Sequence, residues 1–315
     1  MSEGKIPVGI IGLGMVGESS RRWFEEIKNY KRGKDLFCYD TDPKKNYFDD
    51  INRADVIFVC VPTPPSHDGS CNVSIVASAV DTIKDGKIVV IKSTVTPGTT
   101  QLLQSKNKSK TFLFNGEYLT ESQSWSDFIH PARQLVGFTL QGKKYMSLVL
   151  NLLPQGNFQS PCYLDYWKFE LTSTEAEVVK MFSNVFGACK VILGNMFYDY
   201  CRALETNLGF MAEYENVRKA VAADQRINEA WLGGISHGGY RGFGGYCFPK
   251  DMSAHIQSLK FHIKSLENPS LKSLRQLLEK GVKILEAVWE YNEELMKQQG
   301  KTMADVSKHE KEIIL

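Results

Sequence analysis

The run Val8-Gly9-Ile10-Ile11, followed at once by Gly12-Leu13-Gly14-Met15-Val16-Gly17, restricts the fold more than any other stretch of the chain. The apolar residues predict a strand, and residues 18–28 carry Trp23, Phe24 and Ile27 at helical spacing. A GxGxxG between a strand and a helix is the dinucleotide fingerprint. Gly12 permits the tight turn, Gly14 lets a pyrophosphate approach the backbone, and Gly17 lets helix and strand pack closely. The helix start, with Met15 and Val16, offers unpaired N–H groups to the phosphates.

The rest of the N-terminal half repeats the theme. Leu36-Phe37-Cys38-Tyr39 ends in Asp40, roughly 20 residues past the glycines, where an acid binds adenosine ribose hydroxyls. An acid there favours NAD over NADP, because it repels a 2′-phosphate. Lys44 and Lys45 soften that preference, although a solvated surface is the commoner role for such lysines. The stretch from Asp40 to the strand at Val56 is too short for a full crossover helix. That strand, 56–61, ends in Val61-Pro62-Thr63. Strand 88–91 ends in Ser93-Thr94, and strand 112–114 ends in Asn115-Gly116-Glu117-Tyr118-Leu119. Carboxyl ends of parallel strands line the ligand crevice of an open α/β sheet. Ser93 and Thr94 serve equally well as helix caps before Pro97. Residues 135–138, a helix near 142–152 and 162–164 complete this part.

From about Thr172 the period becomes 3.6, with Ser173 or Thr174 as cap and a helix running to about residue 208. Lys180 and Asn184 stand four apart on that helix and share a face, which suits either a polar pocket or a solvated stripe with a snorkelling lysine. Helices over 212–223, from Asp251, and over 273–299 follow. Between them Gly242-Phe243-Gly244-Gly245-Tyr246-Cys247-Phe248-Pro249-Lys250-Asp251 sets one cysteine behind glycines and before a Lys-Asp pair. A thiolate nucleophile needs such a cationic neighbourhood, while a buried structural thiol needs none of it. The expected class is α/β: a Rossmann-type doubly wound sheet over residues 1–170, then an all-helical domain over 171–299 with the cysteine loop. A polar, frayed tail over 300–315 ends the chain.

Bulk properties narrow the function. The net charge of +2 lacks the concentrated basic face that nucleic acid requires. No apolar run is long enough to span a membrane. The 7 cysteines, without CxxC spacing, are expected to be reduced thiols in the cytoplasm. No metal site is expected.

Together GLGMVG, VPTPPSHDGS from Val61, STVTPGT from Ser93, NGEYL from Asn115, EAEVVKMFSN from Glu175, DQRI from Asp224 and FGGYCFPKD from Phe243 resemble the UDP-glucose/GDP-mannose 6-dehydrogenase family, in order and spacing, over nearly the whole chain. The resemblance implies NAD as cofactor and oxidation of a nucleotide sugar, UDP-glucose first among them, from CH2OH to carboxylate with two NAD. It implies Cys247 as nucleophile, Lys180 and Asn184 as oxyanion stabilisers, and Glu117 and Thr94, assisted by Asp251, as handlers of water and proton. The cofactor is expected on Gly12, Gly14, Met15, Val16, Gly17, Asp40, Val61, Pro62, Thr63, Thr94, Glu117 and Lys250. The sugar nucleotide is expected on Tyr118, Leu119, Lys180, Asn184, Phe243, Gly244 and Gly245, with Arg226 reaching an adjacent subunit's substrate in a homodimer formed through the central helices. The chemistry fits these residue types: a thiolate traps the aldehyde as a thiohemiacetal, a second oxidation leaves a thioester, and activated water hydrolyses it.

The chain also departs from the family pattern. It stops where a third, nucleotide-binding domain is usual, so a partner chain or a smaller substrate is conceivable. Asn115-Gly116 replaces Asn-Pro, Asn72 stands for an acid, and Gly194-Asn195-Met196 replaces Asn-Glu. The loop from Arg226 to Cys247 is longer, and its His237 could touch a phosphate. A two-electron hydroxy-acid dehydrogenase of the 6-phosphogluconate type shares the N-terminal fold and the helical lysine but gives Cys247 no task. A non-catalytic NAD-binding subunit is the third alternative.

Overall fold

The structure, a computed structural model, describes residues 4–236 and 238–308; His237 and the end of the polar tail lie outside the described residues. The described chain divides into two compact units. The first comprises the residues up to Pro64 and Cys71–Met181; the second comprises Pro65–Ser70 and the residues from Phe182 onward.

The first unit is built on a seven-stranded sheet. β1 (Val8–Ile11), β2 (Leu36–Tyr39), β3 (Val56–Val59), β4 (Ile88–Ile91) and β5 (Thr111–Phe114) are parallel. Their continuous Val, Ile and Phe runs are those of strands buried on both faces. One layer of core packs Val8, Ile10, Phe24, Phe58 and Val90 together, and the other packs Ile57, Val59, Val89, Ile91 and Phe112. The helices α1 (Met15–Arg22), α2 (Ser74–Asp81), α3 (Thr99–Lys106), α4 (Ser124–Ile129) and α5 (Met146–Leu152) accompany the sheet. α1 continues as a π-helical turn over Trp23–Ile27, so the fingerprint helix reaches its expected end with one widened turn. Only short 3₁₀ turns, Pro43–Lys45 and Ile51–Arg53, join β2 to β3, as the spacing requires.

The strand order extends β1 to β5 in two steps. β7 (Gly137–Phe138) pairs antiparallel with β5, and β11 (Leu171–Thr172) pairs parallel with β7, giving the order β11-β7-β5-β4-β3-β1-β2. Gly137 is required there, since a Cβ would come within 2.6 Å of the Ala176 side chain. β6 (Arg133–Leu135) pairs with β8 (Phe158–Ser160), and β9 (Cys162–Leu164) forms a separate hairpin with β10 (Trp167–Phe169). Residues 162–164 thus lie outside the main sheet.

α6 (Ser173–Leu208) runs 36 residues and passes from one unit to the next. Its cap is Thr172, not Ser173 or Thr174. Thr172 and Glu175 form a reciprocal box, Thr172 N–H donating to Glu175 Oε2 at 2.7 Å and Glu175 N–H to Thr172 Oγ1 at 3.2 Å.

The second unit continues with α7 (Tyr214–Ala222), α8 (Cys247–Lys264) and α9 (Lys272–Gln298). α8 starts at Cys247, four residues before Asp251 where the sequence pattern places a helix start. The tail expected to fray from Gly300 instead folds as α10 (Met303–Val306). A capping box between Thr302 and Asp305 starts that turn, and Val306 is fully buried.

Candidate active site

In the first unit the fingerprint glycines divide their work. Gly12 has φ +87°, and a Cβ on it would meet the Cys60 carbonyl oxygen at 2.8 Å. A Cβ on Gly17 would sit 1.8 Å from the Gly12 carbonyl oxygen. Gly14 faces open space, so the backbone at the α1 N-terminus can be approached closely by a ligand. At the end of β2, Asp40 is buried. Its Oδ2 accepts from Leu13 N–H at 2.6 Å and from Lys45 Nζ at 2.9 Å, while Oδ1 accepts from Asp42 N–H. Burial raises its carboxyl, but the hydrogen bonds from Asp42, Leu13 and Lys45 outweigh it and hold the group below the usual range. Lys45 is therefore a partner of Asp40, although its own side chain is 37% exposed.

The strand-end loops are tied to one another. Thr63 Oγ1 donates to the Thr94 carbonyl at 2.7 Å, and Ser93 Oγ to the Val61 carbonyl at 2.7 Å. Ser93 thus fixes a neighbouring loop and caps no helix; α3 has Gly98 at its N-cap position and draws its cap from Glu177, whose carboxylate accepts from Gly98 N–H at 2.6 Å and Thr100 N–H at 2.8 Å.

Sequence reasoning missed Lys92. It closes β4, its side chain is inaccessible to solvent, and its Nζ lies 2.8 Å from Glu117 Oε2 and 2.6 Å from Asn115 Oδ1. A lysine in an otherwise apolar strand end, directly before Ser93-Thr94, was the available signal: buried lysines are rare unless paired. The pair fixes the orientation of the Glu117 side chain. Next to it, the Tyr118 ring lies under Arg133 at 3.9 Å and Lys180 at 5.3 Å. Burial pushes the Tyr118 hydroxyl up to about 12. Lys180 is buried and belongs to this group, so its face of α6 is not a solvated stripe. Leu119 is half-buried beside it in sequence.

The second unit holds the cysteine loop. Cys247 is half-buried at the first position of α8, where unpaired N–H groups favour negative charge. Cys38 and Cys60 in the first unit differ: burial pushes both thiols up to about 12, which marks them as structural. One turn beyond Cys247, buried Asp251 accepts from Asn184 Nδ2 and pairs with Lys250 Nζ. Asn184 and Asp251 are thus brought together as expected, whereas Lys250, expected on the cofactor, turns to Asp251.

Three substrate expectations receive structural duties. Phe243 is buried against Trp289, and both its backbone groups are bonded to Asn292. A Cβ on Gly244 would fall 2.0 Å from the Tyr240 hydroxyl. Gly245, at φ +71°, leaves open space around its α-carbon, and its N–H is bonded to Val306. Arg226 is 89% exposed and holds Asp224 in its own turn, with Nη2 2.6 Å from Oδ2.

Comparison with known proteins decides the family. Residues 44–149 match the model "UDP-glucose/GDP-mannose dehydrogenase family, NAD binding domain", and residues 174–293 match the same family's central domain. The chain belongs to the UDP-glucose/GDP-mannose dehydrogenase family. Among curated relatives, a UDP-glucose 6-dehydrogenase of Rickettsia felis is 31% identical over 66% of this chain and 44% of its own length. That of Rickettsia typhi is 32% identical over 70% and 50%. The chain thus spans about half the length of the relatives it matches. A UDP-glucose dehydrogenase structure from Pyrobaculum islandicum superposes with a TM-score of 0.71 at 23% identity, covering 95% of this chain and 72% of the other, which shows a shared fold. The fingerprint geometry fits NAD on this chain's own terms: open space at Gly14, a free helix start, and a buried acid at the end of β2. No helix among the described residues is long and apolar enough to cross a membrane.

Proposed function

We propose that the protein oxidises C6 of a nucleotide sugar, UDP-glucose first among the candidates, to the carboxylate in two steps without releasing the aldehyde. The observation that carries this reading is Cys247: half-buried, at the start of an 18-residue helix, one turn before buried Asp251, which is bonded to Asn184 and Lys250. Gly12, Gly14, Gly17 and Asp40 would hold NAD, which supplies a hydride acceptor for each oxidation.

The chain's own residues supply the rest. The Cys247 thiolate adds to the aldehyde carbon and forms a thiohemiacetal. Lys180 and Asn184 offer a cation and an amide donor to the oxygen that gains charge. After the second oxidation the carbon is a thioester. Glu117, held in place by Lys92, takes a proton from water, with Thr94 orienting it; water adds to the carbonyl and the thiolate leaves. Asp251 orients Asn184 through their hydrogen bond.

The reading includes a homodimer. Phe182, Phe186, Leu193, Phe197 and Tyr200 form an apolar stripe along α6, each more than half exposed. Such a stripe on a helix of a water-exposed unit asks for a partner, and sedimentation finding a monomer at micromolar concentration rejects this part.

The test of the chemistry is a count of NADH per sugar. The full chain should give two NADH per UDP-glucose, and Cys247→Ser should lose the second oxidation by roughly 10³-fold or more. Two NADH from Cys247→Ser at the unaltered rate, or one from the unaltered chain, overturns the reading.

A further inference from the structure

The loop before Cys247 has no regular secondary structure, yet alternate residues of it are held by their backbone. Arg241 N–H donates to Gln299 Oε1 at 2.7 Å, and Gln299 Nε2 returns a bond to the Arg241 carbonyl at 3.1 Å. Phe243 N–H donates to Asn292 Oδ1 at 2.8 Å, and Asn292 Nδ2 returns a bond to the Phe243 carbonyl at 2.9 Å. Gly245 N–H donates to the Val306 carbonyl at 2.6 Å. Residues 241, 243 and 245 thus repeat the spacing of a strand, against side chains and a turn instead of another strand. Asn292 and Gln299 are two helical turns apart on one face of α9 or its end. The third anchor comes from α10.

α10 is placed firmly enough to act as an anchor. Thr302 and Asp305 close its first turn reciprocally, Thr302 N–H donating to Asp305 Oδ2 at 2.9 Å and Asp305 N–H to Thr302 Oγ1 at 3.3 Å. Lys301 N–H donates to the Met296 carbonyl at 2.9 Å and turns the chain back over the end of α9. Val306 then packs with Tyr240, Met296 and Met303. The fit leaves no slack, since a Cβ on Gly244 would stand 2.7 Å from the Val306 carbonyl oxygen. Residues 302–306 lie past the stretch matched to the family's central domain, which ends at 293.

We infer that α10 is a positioning element for the nucleophile: by holding the Gly245 peptide, two residues before Cys247, it fixes where α8 begins and how the thiol is presented. The inference rests on the reading of Cys247 as the nucleophile, but its first two readouts need no substrate. In the full chain, Val306→Asp puts a charge into the Tyr240–Met296 cluster, and Thr302→Ala with Asp305→Ala removes only an exposed capping box. Both should release the anchor, the second partially; Val306→Ile should keep it. Hydrogen exchange followed by mass spectrometry should show the peptide containing 243–247 exchanging roughly 10-fold faster in Val306→Asp, with α6 and α9 unchanged, as expected for losing one local anchor. Alkylation of Cys247 by iodoacetamide should change about 5-fold or more, with an altered pH profile, while half-buried Cys189 serves as the internal control. With UDP-glucose, kcat should fall and KM hold.

Unchanged exchange and alkylation at 243–247 in Val306→Asp overturns the inference. So does faster exchange spread evenly over α6, α8 and α9, which marks α10 as a general stabiliser. A changed Cys247 reactivity in a chain that oxidises no nucleotide sugar leaves α10 as the anchor and removes the proposed activity. Activity that needs Cys247 but ignores Val306→Asp does the opposite.

Discussion

The two units place their candidate site residues by different means. In the first, Asp40, Thr63, Thr94 and Glu117 stand just past β2, β3, β4 and β5, so the sheet's own hydrogen-bond ladder sets their positions. In the second, Cys247 follows a loop that no ladder holds, and side chains of α9 together with α10 substitute for one. A repeating scaffold spreads its restraint over many equivalent bonds. A loop held at three points depends on each of them.

The largest expected effect probes the one place where the first unit also depends on a single group. Lys92→Met leaves the Glu117 carboxylate and Asn115 Oδ1 buried without their cation, which should cost ~3–5 kcal/mol in denaturant unfolding. A loss below about 1 kcal/mol would mean that the ladder alone suffices there. Asn292→Ala comes next: both backbone groups of Phe243 lose their partner in a fully buried position, for a cost of ~2–3 kcal/mol. Its exchange signature should be confined to 241–247; protection retained there would show that Gln299 and Val306 hold the loop without it.

The smallest effect concerns pH. Burial pushes the Glu177 carboxyl up to about 7, against the hydrogen bonds from Thr100 and Gly98. Between the ordinary value of 4.5 and about 7, the folded chain keeps a proton that the unfolded chain has released. This group's stability contribution is complete below that window and declines as pH rises through it. Glu177→Gln should flatten the decline by ~3 kcal/mol across the window, read as thermal melts at several pH values. An unaltered slope would mean that the two N–H donors keep the carboxylate charged throughout.

Much of the first unit was legible beforehand. The glycine fingerprint, the apolar strands and the polar residues after them are local patterns, and each forms where its spacing predicts. The edge strand β11 was less legible, because two residues carry no period, whereas β7 falls within the expected 135–138. Lys92 escaped notice because its partner lies 25 positions away on a different strand end, and a lone lysine in a sequence reads as surface. The second unit yielded its helices but not its loop. Asn292 and Phe243 are 49 positions apart, and Gln299 and Arg241 are 58 apart. Nothing in the local character of an asparagine on an amphipathic helix tells which backbone it will clip. The tail misled for the same reason: Thr302 to Val306 is mostly polar, and its one apolar end is buried only because Tyr240 and Met296 meet it.

By itself the sequence determined the α/β sheet, the dinucleotide turn, the long helix and the presence of a thiol behind glycines, since these depend on periodicity and on residues near in the chain. Only the tertiary structure decided that Lys92 holds Glu117, that Lys45 joins Asp40, that Phe243 and Lys250 face inward to Asn292 and Asp251, and that the last turn grips the cysteine loop. Each pairing has at least one buried polar group, and a buried donor or acceptor takes whatever partner the packing brings within 3 Å or so.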